Sequence, residues 1–154
     1  MIAEPLTSDA FRPFGRVVSR PERDPDASAT GWSWWAETLE LPVDARPYTL
    51  GYLELEPAEP AFDWAEYHTQ TVELILPLGG DCLVYVASPG DEPRDFHVFK
   101  VAAGDGVLLD PGVWHGAPLA LSERVAAAVF LRQNTGTDDT VVVRFPQSSI
   151  RIEV

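Results

Sequence analysis

Apolar residues in this chain come in short runs, each about the length of a β-strand, and turn-forming residues separate most of them. Fourteen prolines and eleven glycines are spread along the 154 residues. Each proline fixes φ and removes a backbone donor, so a long amphipathic helix has little room under this punctuation. The runs are Gly15–Ser19, Tyr48–Leu55, Val72–Leu76, Cys82–Ala87, Phe96–Val101, Val107–Leu109, Arg124–Arg132 and Thr140–Phe145. They are rich in Val, Leu, Ile and aromatic residues, which suit a pleated, half-buried surface. Many short strands of this kind predict a sandwich or a barrel. Helical signals are few: Leu6–Phe11 offers one capped turn that Pro13 stops. The stretch Arg20–Thr30 reads as a polar loop. No repeat or linker divides the chain, and its length suits one domain over residues 1–154.

Charge narrows the function. Acidic residues number 24 against 11 basic ones, a net charge of −13. Nucleic acid and anionic membrane surfaces both call for basic patches, so neither is expected as a partner. No apolar run approaches the roughly 20 residues of a membrane span. Met1–Pro5 lacks the basic stretch and apolar core of a secretory signal, and the single cysteine, Cys82, excludes intrachain disulfides and thiolate zinc clusters. The expectation is a soluble cytoplasmic domain.

Three histidines, His68, His97 and His115, are the chemical lead. Glu66 and His68 are two apart, so on a strand they share a face. Glu73 lies five positions beyond His68 and would face the other way on one flat strand. A bend within Thr69–Val72 returns it to the same side. In the second segment, Pro111-Gly112 makes a turn that can fix the angle at which His115 enters the next strand. Two imidazoles with carboxylates match a site for Zn, Ni, Mn or Fe. Two readings stay open on these residues: a shared site, or ordinary surface acids in an acidic protein. His97 alternates with Phe96 and Val98 and is expected at the surface, outside any metal set.

The segment Glu66-Tyr67-His68, then Glu73 and Gly80, is similar to the first cupin motif, and Pro111-Gly112 followed by His115 is similar to the second. More narrowly, the chain resembles the ureidoglycolate lyase family. The matching pieces are Leu6…Ala10-Phe11-Arg12-Pro13-Phe14-Gly15-Arg16-Val17-Val18, Glu66-x-His68 with Pro77, and Gly112-Val113-Trp114-His115 with Pro118-Leu119. They occur in the family's order over nearly the whole chain. The resemblance implies an all-β, cupin-type double-stranded β-helix (a jelly-roll barrel) with few short helices, a small-molecule cavity inside it, and a homodimer. The chain departs from the family at Tyr67, where a basic residue is usual, at Glu73 for Gln, at Gly116 for a second histidine, and over Gln133–Asp138.

The resemblance also implies a reaction, cleavage of ureidoglycolate or a related carbinolamide to glyoxylate and urea, as in purine catabolism. A divalent ion (Ni, Mn, Zn or Fe) would be held by His68, Glu73 and His115, with Glu66 either a further ligand or the catalytic base. The substrate is expected to be anionic, and a carboxylate is ordinarily read by arginine. Arg132, Arg94 and Lys100 are available for that. Two further functions remain open: a metal-dependent cupin isomerase, epimerase or hydrolase on a sugar acid or oxo acid, and a ligand-binding cupin without catalysis. Of the remaining aromatics, Trp32, Trp34 and Trp35 are expected in an interface or the core, with at least one in the core. Trp114 should pack facing away from His115. Cys82 should be a buried small hydrophobe. The acidic runs Glu22–Asp26, Asp91–Asp95 and Asp138-Asp139 are expected on loops and solvent faces.

Overall fold

The computed structural model describes residues 1–90, 92–121, 123–145 and 149–154. Asp91, one of the acids expected at the surface, lies outside the described residues. Two sheets make the frame. The first contains, in spatial order, β1 (Glu4–Pro5), β10 (His97–Val101), β9 (Cys82–Ala87), β12 (Trp114–His115), β7 (Trp64–Tyr67) and β15 (Val141–Arg144), with β13 (Leu119–Ala120) also pairing β9. The second runs β2 (Gly15–Val18), β11 (Gly106–Leu109), β8 (Glu73–Gly79), β14 (Val125–Arg132) and β5 (Tyr48–Leu55). Two short ribbons lie outside them, β3 (Ala27–Ala29) with β4 (Trp32–Trp34), and β6 (Ala61–Phe62) with β16 (Ile150–Arg151). Among the described residues helix is confined to α1 (Ser8–Phe11) and α2 (Thr135–Asp138). Among the described residues no helix is long and apolar enough to cross a membrane.

Strand β9 shows how the sequence builds the frame. All six of its residues are buried. Its side chains alternate between two apolar clusters, as the period of two requires. Cys82, Val84 and Val86 face the space between the sheets with Phe11, Phe14, Ile75, Phe99 and Val107. Leu83, Tyr85 and Ala87 face a second cluster with Phe62, Val98, Trp114 and Ile152. Residues removed from water on both faces contribute roughly 1.5–3 kcal/mol each when large, so this strand anchors both layers. Cys82 is fully buried, as expected of a small hydrophobe.

The N-terminal turn forms where the sequence predicts it. Thr7 caps α1, its side chain accepting from the Ala10 N–H at 3.2 Å. The hairpin after it corrects two expectations. Within the polar Arg20–Thr30 stretch, Ala27, Ser28 and Ala29 form a strand paired with Trp34, Ser33 and Trp32. Neither Trp32 nor Trp34 is core: they are 54% and 60% exposed. Trp35 is half-buried, with its indole N–H donating to Arg23 O at 2.8 Å and the Arg20 guanidinium 4.9 Å from its ring. The cause is topological, because the ribbon pairs with neither main sheet and so has no second layer to bury its tryptophans.

Candidate metal centre and its cleft

Strand pairing brings the sequence-predicted residues together. In the register of β12 on β7, His115 lies directly opposite Glu66, and cross-strand neighbours share a face. His68 follows β7 by one residue, two positions after Glu66. The chain then bends through 69–72 and re-enters β8 at Glu73 on the opposing sheet, the bend that the odd spacing required. Ligand atoms of Glu66, His68 and His115 lie within 4.8 Å of one another. Glu73 Oε2 is 3.2 Å from His68 Nε2 and 3.3 Å from His115 Nε2. Both imidazoles are buried, and the Glu73 side chain is 12% exposed. His97 is left at the surface, paired with Glu4 at 2.9 Å.

The hydrogen bonds behind the two rings fix what they present. His115 Nδ1 lies 2.9 Å from Val113 O, which can only accept, so Nδ1 carries the hydrogen. His68 Nδ1 lies 3.1 Å from Asp139 O and 3.2 Å from Thr140 Oγ1. Thr140 gives its hydroxyl hydrogen to Thr135 O at 2.9 Å and has only lone pairs left for the ring. Both neutral rings therefore turn an Nε2 lone pair toward the Glu73 carboxylate. Three acceptors converge with no donor of their own, an arrangement that calls for a shared cation, either a proton or a metal ion. Two imidazole nitrogens and carboxylate oxygens form a donor set for a borderline divalent ion, and each ring's Nδ1–H is anchored on a backbone carbonyl as in metal-ligating histidines. The residues fit such an ion.

The local charges agree. Burial pushes the Glu73 carboxyl up, yet the charge and hydrogen bond of His115, then those of His68, outweigh it and hold the group down at about 2. Burial pulls the His115 imidazole down, but Glu73 more than reverses this, and the ring is raised above its ordinary value.

The Pro-Gly turn ties the two halves of the site together. Gly112 has φ +84 and donates its N–H to His68 O at 2.6 Å, so the turn that delivers His115 also grips the chain at His68. A side chain at 112 would be strained in that conformation. On the far side of His115, Gly116 is required for space. A Cβ there would lie 1.7 Å from the Tyr85 hydroxyl oxygen, which itself donates to Trp64 O at 3.0 Å. Trp114 is 1% exposed, packs edge-on against Tyr67 and donates to Gly90 O, as expected of a packing residue.

The two carboxylates of the site, Glu66 and Glu73, line a cleft of about 260 Å³ whose other walls are Gly51, Tyr52, Leu53, Gly116, Ala117, Pro118 and Val129. Among the described residues that line it, none is Lys or Arg. The three cations considered from sequence are engaged elsewhere. Arg132 is buried in a two-pronged pair with Asp138, at 2.6 and 3.1 Å. Arg94 pairs with Glu92 and Lys100 with Asp81.

One acid moves from the surface to the site. Asp138 is exposed as expected, whereas the Asp139 side chain is 4% exposed. Its carboxylate accepts from Thr69 N at 3.0 Å, Thr69 Oγ1 at 2.9 Å and Gln70 N at 2.8 Å. Burial pushes Asp139 up, but the bonds from Gln70 and Thr69 hold its carboxyl below the ordinary range. Sequence carried no signal for this, because an Asp-Asp pair after a Thr-Gly-Thr turn reads as solvated.

The family model for ureidoglycolate lyase matches residues 1–153. The chain belongs to the ureidoglycolate lyase family. It is 32% identical to the ureidoglycolate lyase of Rhodobacter capsulatus, over 82% of this chain and 83% of that protein. It is 30% identical to that of Stutzerimonas stutzeri, over 88% and 84%. Among solved structures it is similar in fold to a dTDP sugar isomerase from Desulfovibrio desulfuricans, with TM-score 0.53 at 17% identity over 88% of this chain and 87% of the other. It is also similar to dTDP-4-dehydrorhamnose 3,5-epimerase from Bacillus anthracis, with TM-score 0.51 at 10% identity over 70% and 71%. These likenesses bear out the all-β cupin-type barrel expected of a ureidoglycolate lyase family member.

Proposed function

We propose that this protein is a ureidoglycolate lyase, metal-assisted, whose reaction takes place in the cleft lined by Glu66 and Glu73. The observation that carries the reading is the convergence of two Nε2 lone pairs and a buried carboxylate oxygen, with no donor between them, in a chain of the ureidoglycolate lyase family. His68 Nε2, His115 Nε2 and Glu73 are the ligands. A divalent ion held there would supply the positive charge that the cleft lining lacks and would acidify the substrate hydroxyl.

In ureidoglycolate one carbon bears a hydroxyl and the ureido nitrogen, beside a carboxylate. Cleavage breaks that C–N bond, and the hydroxyl's O–H electron pair becomes the second bond of the glyoxylate aldehyde. The departing nitrogen takes up one proton as urea leaves. One proton is lost from oxygen and one gained by nitrogen, so a single carboxylate can carry both transfers. Glu66 is that group. It is half-buried, lines the cleft and faces His115 across the strand pair. Tyr52, Leu53, Pro118 and Val129 form apolar walls that limit water around the reacting carbon. The protein is taken as a cytoplasmic homodimer; the exposed Trp32 and Trp34 of the outlying ribbon offer apolar surface for a second copy.

The test is glyoxylate release from ureidoglycolate by the purified protein with added Ni(II), Mn(II), Zn(II) or Fe(II). Release is expected with at least one of them, and Glu66→Gln should lower the rate roughly 10²–10⁴-fold while the protein still binds the ion. No release with any of the four refutes the reading.

A further inference from the structure

His68 is the one member of the site that lies outside a strand, in the chain just past β7. A ligand in that position needs an external frame, and the segment 132–140 supplies one. Arg132 grips Asp138 with both guanidinium prongs, Thr135 Oγ1 donates to Arg132 O at 2.7 Å, and Thr140 Oγ1 donates to Thr135 O. This stiffened turn delivers Asp139 to the far side of His68. We propose that Asp139 is a positioning residue for the site: its carboxylate clamps the N–H groups of Thr69 and Gln70, and its carbonyl meets the His68 ring, so that Nδ1 keeps the hydrogen and Nε2 faces Glu73.

Besides a longer contact with Arg132 Nη2 at 3.9 Å, the carboxylate is committed to the clamp. Both of its oxygens are taken by the two residues that follow His68, and Gly112 N holds His68 O from the other side. The peptide between His68 and Gln70 is thus pinned at three points. A backbone carbonyl as acceptor behind a ring nitrogen sets the tautomer of a ligating histidine, and loss of such a partner typically costs 10–100-fold in metal affinity or activity. Here the carbonyl is placed from two sides: the Asp139 N–H donates to Thr135 O at 3.0 Å, and the carboxylate clamp ties the same residue to the chain past His68, between the end of α2 and the start of β15.

The inference rests on His68 being a metal ligand only for its effect on the ion, and the experiment reads the ring separately. Full-length, metal-free protein with ¹⁵N-labelled histidine is examined by long-range ¹H–¹⁵N correlation at a pH where both buried rings are neutral. Wild type should show His68 and His115 as Nδ1–H tautomers. In Asp139→Ala, His68 should shift to a mixture with Nε2–H while His115 stays as it is. Titration with Ni(II) should give binding roughly 10–100-fold weaker in Asp139→Ala and an intermediate loss in Asp139→Asn, which keeps one acceptor oxygen. Thr140→Val, which removes one of the two acceptors behind Nδ1 and one bond of the turn but none of the bonds of the Asp139 carboxylate, should weaken Ni(II) binding less than Asp139→Ala and carries the test with Asp139→Asn if the alanine variant fails to fold. An unchanged His68 tautomer in folded Asp139→Ala, or in Asp139→Asn and Thr140→Val together, overturns the proposal. If wild type binds none of Ni(II), Mn(II), Zn(II) and Fe(II) but the tautomer shifts, the metal reading falls and the positioning role stands.

Discussion

Replacing Glu73 by glutamine should change how the stability of the metal-free protein depends on pH, and the structure sets both the size and the shape of the effect. Glu73 Oε2 sits between two buried Nε2 atoms at 3.2 and 3.3 Å. Lowering a carboxyl from 4.5 to about 2 corresponds to roughly 3 kcal/mol of preference for its charged form. The raised value of His115 is the same interaction seen from the other partner and is not added again. A depressed carboxyl stabilises the fold fully above its unfolded value near 4.5, and that contribution is lost as pH falls toward 2. A raised imidazole stabilises fully below its unfolded value near 6.5, and that contribution is lost as pH climbs through the folded value. The advantage of wild type over Glu73→Gln should therefore be a plateau between these limits, falling away on both sides. Its height should be below roughly 3 kcal/mol, because the glutamine amide can donate to one of the rings and recover part of the loss. Urea unfolding of both proteins in chelator across the pH range measures it. A difference that is flat with pH, or that grows in alkali, refutes the shared-cation account of the site.

Gly116→Ala should destabilise the protein by about 1–3 kcal/mol, the usual range for overpacking, because Tyr85 is 1% exposed and its ring lies 3.8 Å from that of Phe62, so it cannot swing clear. Urea unfolding checks this, and wild-type stability would show that Tyr85 moves freely. The Cys82 thiol, pushed up to about 12 by burial and then by Asp81, should resist a thiol reagent in the native protein and react once unfolded; rapid native labelling would show that the barrel opens at β9.

The frame was legible wherever burial on the sheet faces decided the sequence. Strands β5 and β9 run over the residues that apolar runs predicted, Tyr48–Leu55 and Cys82–Ala87. β8 extends past its predicted end through Pro77 to Gly79, because its register on β14 shifts between Ala126 and Ala127, where β8 carries the extra residue Leu78 beside a proline with no N–H to give. The short strands that carry the site were harder to read. β12 is two residues long, and its position depends on partners β7 and β9 rather than on its own composition. The four site residues could be nominated because Glu66 and His68 are spaced to share a strand face and the segments that carry all four resemble the two cupin motifs. Asp139 could not, since its partners lie about 70 positions away and hydrogen bonds over that separation leave no local pattern. Arg132 shows the converse. It was one of three cations available to a substrate carboxylate, and the structure occupies it with Asp138.

Strand β5 has an evolutionary consequence. It forms one wall of the cleft with Gly51, Tyr52 and Leu53, yet it is an edge strand on which only Leu55 is buried. Surface substitutions away from special contacts usually shift stability by no more than about 0.5 kcal/mol. The wall most open to variation is therefore also the one most tolerant of it, whereas the site's histidines and carboxylates are bound into both sheets. A lineage could retune which small molecule fits by drifting along this single strand and leave the barrel that holds the chemistry undisturbed.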